Sequence, residues 1–241
     1  MTDRNVIILT AGLAGSSLVA GLLRDAGYWA GDGTVRKSDY DTYENQELVD
    51  LNRRLLQDAG YLGKYEMVFR TEDVRHLAEQ TRTIDPAPYR GFIERCNLHQ
   101  PWLWKDPRLW LTIRFWQRHL EPDRTAFLLV TREHTQAWIS QTIRRQIQTP
   151  QYCRYYMEGV RASFLEFLDE NKLPRLELVY EDLLLKPEQA IASLNQFLGC
   201  DITMENLSRA CQGRLYRKRH GLIDYLTARA IYLKNYTTRY R

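Results

Sequence analysis

Eight residues near the N-terminus, Thr10-Ala11-Gly12-Leu13-Ala14-Gly15-Ser16-Ser17, have the composition of an anion-binding turn. Gly12 and Gly15 let a backbone approach an anion closely, because no Cβ stands in the way. Successive N–H groups in a turn that opens a helix converge on one spot, with the positive end of the helix dipole behind them. Ser16 and Ser17 add hydroxyl donors and suit a helix cap. The turn holds no lysine or arginine. A Walker loop, G-x-x-x-x-G-K-[ST], would carry lysine at position 16. Ser16 stands there, which argues against a conventional ATPase or kinase. A plain tight turn of small residues is the simpler account of the same stretch.

Two other groups of residues can do chemistry at similar places. Arg132 precedes Ser140 by eight residues, about two helical turns. A guanidinium fork and a hydroxyl so spaced can face one phosphate, although a solvated arginine and a helix-surface serine explain the pair as well. Trp104-Lys105-Asp106-Pro107-Arg108 ends a short apolar run with a lysine. Asp106 can orient Lys105 or Arg108, and Pro107 suits the start of a helix. An ordinary Asp-Pro helix entry with surface charges is the alternative.

These groups need a scaffold, and the hydrophobic pattern provides one. Residues 5–10, 101–104, 125–130 and 175–180 are predicted strands. Residues 15–26, 44–59, 108–120, 134–147, 151–171 and 187–198 are predicted helices, with a weaker one over 72–82. Leu48, Leu51, Leu55 and Leu56 share one helical face. Residues 27–42, rich in Gly, Asp and Tyr, read as a loop, and Asp85-Pro86-Ala87-Pro88 as a break. Alternating β and α predicts an α/β fold, a central parallel sheet with helices on both faces. Ligands bind such sheets at the carboxyl ends of the strands. That rule selects 10–17, 105–108, 131–132 and 180–182.

Composition sets wider bounds. A chain of 241 residues suits one domain, here a core over 5–200 and a helical, basic extension over 201–241. The net charge of +4 suits an anionic ligand and is too small for nucleic acid to be expected as a partner. If any stretch bound one, it would be the C-terminal region, with Arg229, Lys234, Arg239 and Arg241 among Tyr225, Tyr232, Tyr236 and Tyr240. An aromatic helix packed on the domain explains those tyrosines equally. Cys96, Cys153, Cys200 and Cys211 are scattered, without metal spacing, and no metal site is expected. No apolar run approaches the ~18 residues of a membrane span. The N-terminus lacks the layout of a signal peptide. A cytoplasmic protein with free thiols is the expectation.

In combination and in order, the groups resemble the sulfotransferases that use 3′-phosphoadenosine 5′-phosphosulfate (PAPS), most closely bacterial and tyrosyl-protein members with a K-D-P segment. Leu13-Ala14-Gly15-Ser16-Ser17 is similar to the family's first loop, which binds the 5′-phosphosulfate. Arg132 and Ser140 match its 3′-phosphate signature, and Lys105 to Arg108 its K-D-P-R segment. Tyr180-Glu181-Asp182-Leu183, Pro187 and Phe197-Leu198-Gly199 match a fourth motif, whose tyrosine packs near the adenine. The Arg214–Gly221 run faintly resembles a segment that closes over the 3′-phosphate, and is equally a basic surface run.

The resemblance implies a three-layer P-loop-like fold and sulfuryl transfer from PAPS to a hydroxyl or amine acceptor, leaving 3′-phosphoadenosine 5′-phosphate (PAP). It implies nucleotide contacts from Gly12, Leu13, Ala14, Gly15, Ser16, Ser17, Arg132, Ser140 and Tyr180. Leu13 occupies the place of a basic residue in the family's loop, so a nucleotide-binding protein with impaired catalysis is the alternative. Pro107 occupies the place where cytosolic members carry a histidine base. Lys105 is then the cation expected at the sulfuryl group, with Arg36, Lys37 and Arg108 as further cations. Glu44, in an aromatic-Glu-x-x-Glu-Leu segment like that of bacterial members, is the expected base; a first-turn acid favoured by the helix dipole is the competing account. Glu66, Glu72 and His99 are weaker candidates, and His134 suits a ligand or surface role. Trp102, Trp104, Trp110 and Trp116 read mostly as core. The acceptor, whether carbohydrate, lipid, phenol or peptide, is not readable.

Overall fold

The computed structural model describes residues 4–37, 40–211, 219–235 and 237. In chain order these form β1 (Asn5–Thr10), α1 (Ser16–Asp25), β2 (Thr34–Arg36), β3 (Asp41–Asn45), α2 (Gln46–Asp58), α3 (Thr71–Gln80) and α4 (Ala87–Asn97). There follow β4 (Leu103–Lys105), α5 (Leu109–Trp116), β5 (Thr125–Thr131), α6 (His134–Ile143), α7 (Pro150–Glu170) and β6 (Arg175–Val179). The chain ends in α8 (Tyr180–Leu185), α9 (Pro187–Leu198), α10 (Met204–Ala210) and α11 (Leu222–Lys234).

Four parallel strands in the order β4-β1-β5-β6 make the central sheet. It is apolar on both faces, as a sheet covered by helices on each side must be. Ile7, Leu9, Phe127 and Leu129 join a core with residues of α2–α5 and α7. Val6, Ile8, Leu128 and Val130 point the other way, into a core with α1, α8 and α9. Alternation along each strand produces the three layers. Trp102, Trp104, Trp110 and Trp116 are all buried, with Trp104 stacked on Trp102 and on Phe92.

Because the strands are parallel, their carboxyl ends share one edge. Thr10 pairs with Val130, Thr131 with Val179, and Ile8 with Lys105. The residues that follow, 11–17, 106–108, 132 and 180, are therefore gathered by register alone. Register also sets direction. Lys105 lies beside Ile8 and projects on the α1 side, whereas Trp104, beside Ile7, enters the opposite core.

Three elements differ from the sequence expectations. Residues 27–42 are not all loop: β2 and β3 form an antiparallel hairpin, pairing Thr34 with Asn45 and Arg36 with Asp41. Polar side chains hold it, Thr34 Oγ1 donating to Asp41 (2.6 Å) and Thr42 Oγ1 to the Val35 carbonyl (2.6 Å), so no apolar alternation marks it. Glu44 consequently lies in β3 and not in the first turn of a helix; Asn45 is the N-cap of α2, accepting from the Glu47 and Leu48 amides. Beyond the Asp85–Pro88 break runs α4, with prolines at its start, where no donor is lost. Finally, α1 begins at Ser16, with Gly15 as N-cap and no side-chain cap from either serine.

At the C-terminal end, α11 packs on α6, where Trp138 meets the edges of Tyr232 (5.7 Å between centroids) and lies 6.3 Å from Tyr225. These two tyrosines belong to a packed helix. Arg214–Lys218, Tyr236, Arg239, Tyr240 and Arg241 lie outside the described residues. No helix among the described residues is long and apolar enough to cross a membrane.

Candidate active site

The strand ends enclose a cavity of about 500 Å³. Gly12, Leu13, Gly15, Ser16 and Ser17 form one wall, and Glu44, Lys105, Arg132, Ser140 and Tyr180 line it as well. Of the expected contacts, Ala14 alone does not line the cavity; it is fully buried.

The loop is shaped by a run of positive φ angles, 80° at Gly12, 49° at Leu13 and 81° at Gly15. Gly15 meets two demands at once: its backbone is left-handed, and a Cβ there would overlap the Tyr180 ring. Among the described residues, no protein acceptor takes the N–H of Leu13, Ala14, Gly15, Ser16 or Ser17. Five such amides at the start of a ten-residue helix are donors of the kind that can hold an anion. Gly15→Ala is expected to cost about 1–3 kcal/mol in urea unfolding, and to cost less in a Tyr180→Ala background, where the overlap is gone and the φ strain remains.

Arg132 enters from the end of β5. Its Nη1 donates to the Leu13 carbonyl (3.2 Å), its guanidinium lies 4.8 Å from the centre of the Tyr180 ring, and Glu181 is an ion-pair partner at 3.5 Å. Glu181 is itself anchored by accepting the Glu133 amide (3.0 Å). Burial lowers the Arg132 pKa, Tyr180 and Glu181 opposing it. Burial likewise raises the Tyr180 phenol, with Arg132 pulling it down. Arg132 Nε and His220 Nε2 are buried without a hydrogen-bond partner. His220 is tied to α6 through both ends of the Gln136 amide, and burial together with the nearby Arg132 charge holds its imidazole toward the neutral form.

At the opposite wall, Lys105 is almost fully buried and its ammonium has three partners. Nζ donates to Glu44 Oε1 (2.6 Å), the Thr42 carbonyl (2.9 Å) and Ser17 Oγ (3.2 Å). One lysine thus joins the hairpin to the start of α1. Asp106 serves Arg108 and not Lys105: its Oδ1 accepts both the backbone N–H and Nη1 of Arg108, each at 2.9 Å. Asn52 donates to the other oxygen (2.8 Å) and accepts from Trp116 Nε1 (2.7 Å).

Lys37, Glu66 and Arg108 also line the cavity. Arg36 turns out to Asp41, His99 stacks on Trp29, and His134 lies near Glu158 at the surface, none of them on the cavity; Glu72 sits in the exposed first turn of α3. Burial pushes the Cys96 and Cys153 thiols up to about 12, so neither offers a thiolate nucleophile. No group of acidic, histidine or cysteine residues suited to a metal occurs among the described residues. Sequence reasoning missed Tyr40, Thr42, Tyr65, Gln141, Arg144 and Gln146, which reach the cavity from the hairpin, the segment before α3 and the end of α6.

No family model matches the sequence, and no curated protein does. Solved structures do resemble the fold. The sulfotransferase domain of the olefin synthase of Synechococcus PCC 7002 superposes with a TM-score of 0.53 at 18% identity, over 94% of this chain and 87% of that one. The sulfotransferase domain of the curacin biosynthetic pathway gives 0.50 at 16% identity, over 92% and 82%. With its parallel four-stranded sheet, two helical layers and glycine loop at the carboxyl edge, the chain has the fold of the sulfotransferase domains.

Proposed function

We propose that the protein transfers a sulfuryl group from PAPS to a hydroxyl or amine acceptor, releasing PAP. The observation that carries this reading is the run of unpaired amides from Leu13 to Ser17, of which Leu13, Gly15, Ser16 and Ser17 line the same cavity as Arg132 and Ser140 on one side and the Lys105–Glu44 pair on the other. The amides suit the 5′-phosphosulfate without any cation in the loop. Arg132 and Ser140 suit the 3′-phosphate end. Tyr180 lines the cavity between them.

The chemistry follows from the two ends. An acceptor oxygen attacks sulfur as its proton passes to Glu44; the bond from sulfur to the bridging oxygen breaks, and its electron pair leaves with PAP. Protonating Glu44 removes the charge that holds Lys105 Nζ at 2.6 Å. The ammonium, already 3.2 Å from Ser17 Oγ, is then released toward the leaving oxygen as charge builds there. No metal is required for this division of labour.

Incubation with labelled PAPS and a panel of sugar, lipid, phenol and peptide acceptors tests the reading: PAP and a sulfated product are expected. Arg132→Ala is expected to weaken PAP binding about ten- to hundred-fold in calorimetry, the range for lost hydrogen bonds to a charged group. Unchanged affinity would remove Arg132 from the nucleotide site. A second reading, a nucleotide-binding protein with impaired chemistry, is favoured by Leu13 in the loop. It predicts PAP binding with no transfer to any acceptor.

A further inference from the structure

We infer that Arg108 is the residue that contacts the sulfuryl group of bound PAPS, supplying from the β4–α5 turn the positive charge that the loop lacks. The inference rests on the reading above and adds to it a residue with a role of its own.

The surroundings of Arg108 locate its guanidinium. Its chain neighbour Pro107 touches the loop, with Pro107 Cβ 3.7 Å from where a Cβ on Gly12 would stand. The guanidinium covers the Tyr65 ring at 4.6 Å. The Tyr65 carbonyl in turn shares the Tyr156 hydroxyl with the Ala11 carbonyl, at 2.9 and 3.0 Å, so Tyr65 is pinned to the root of the loop. Arg108 also lies close enough to Glu44 for their charges to interact. It therefore shares one cavity with the loop that would hold the donor and the carboxylate that would take the acceptor's proton. On the reading above, a sulfuryl group passes from donor to acceptor within that cavity.

The other cations that line the cavity are paired or solvent-exposed: Arg53 pairs with Asp50 (3.1 Å), and Lys37 is exposed at the hairpin. Lys105 is occupied by Glu44, Thr42 and Ser17. Arg132 holds the Leu13 carbonyl and Glu181. Arg144 donates to the Tyr40 hydroxyl and lies over that ring. Arg108 differs. Among the described residues Asp106 is the only acceptor of its side-chain N–H groups, through Nη1 alone. Its remaining N–H groups belong to a guanidinium that lines the cavity.

The guanidinium is also held rigidly. The relay Trp116 to Asn52 to Asp106 to Arg108 is buried at every step. The Tyr65 ring restrains it from the side. A planar fork fixed in this way matches two oxygens of a sulfuryl group and bears its charge before the substrate arrives.

PAPS and PAP differ by the sulfuryl group, so calorimetry with both isolates the contact. Arg108→Gln is expected to weaken PAPS binding about ten- to hundred-fold and to leave PAP within about twofold. Removing Arg108 strands Asp106, so the paired variant Asp106→Asn/Arg108→Gln, which neutralises both partners, carries the same expectation should the single variant not fold. Equal loss for both ligands, or loss for neither, overturns the inference while leaving the nucleotide site intact. If the unaltered protein binds neither PAPS nor PAP, the underlying reading itself fails.

Discussion

Replacing Lys105 by alanine is expected to lower turnover about 100- to 1,000-fold, the usual effect of removing one preorganised donor from a developing anion, and to change the Kd for PAP by less than about threefold. The reasoning is geometric. Nζ is bound by Glu44, Thr42 and Ser17 and is nearly sealed from solvent. With its charge offset by Glu44 in the resting state, it adds little to ground-state attraction for the nucleotide. Its charge becomes available only as Glu44 takes up a proton, which is when the leaving oxygen needs it. An interaction realised in the transition state alone affects kcat and not affinity. Turnover is followed as PAP released from PAPS, and affinity by calorimetry. Lys105→Met, which keeps the length of the side chain, separates charge from packing and is expected to behave as the alanine variant does. Normal turnover in either variant would leave Lys105 as a brace between the hairpin and α1.

The parts of this arrangement that were legible in the sequence are those written in periodicity. Two-faced apolar strands such as Val6–Leu9 and Thr125–Val130 indicated a covered parallel sheet, and the rule of carboxyl ends then selected the loop, Lys105, Arg132 and Tyr180 before any contact was known. Other parts depend on contacts distant in sequence. The β2–β3 hairpin has no apolar alternation because hydroxyl and carboxylate bonds hold it, so Glu44 read as a helix-start acid. Helix α4 was hidden by prolines that a first turn tolerates, although Tyr89, Phe92, Ile93 and Cys96 carry a helical spacing. The sequence offers Asp106 two partners, Lys105 and Arg108. Local sequence cannot decide that; the Asn52 and Trp116 side chains that fix the carboxylate come from α2 and α5.

That buried relay gives the largest expected effect on stability. Asp106→Ala is expected to cost about 3–5 kcal/mol, the range for breaking a buried ion pair from one side. Asp106 is fully buried and meets three donors, the Arg108 amide, Arg108 Nη1 and Asn52 Nδ2. Alanine leaves all three unsatisfied, together with a guanidinium whose own side chain is only 8% exposed. The cost arises mainly from the stranded charge, so it depends on Arg108 being present. The double variant Asp106→Ala/Arg108→Met is accordingly expected to be more stable than Asp106→Ala alone, a coupling measurable in a double-mutant cycle by urea unfolding. A loss below about 1 kcal/mol in the single variant, or simple additivity in the double, would contradict the assignment of Asp106 to Arg108. The same cycle bears on function. If Asp106 acts by aiming Arg108, then Asp106→Asn, which keeps an acceptor of the same shape, should lose less affinity for PAPS than Arg108→Gln does. Its affinity for PAP should stay unchanged, because PAP lacks the sulfuryl group that Arg108 would contact.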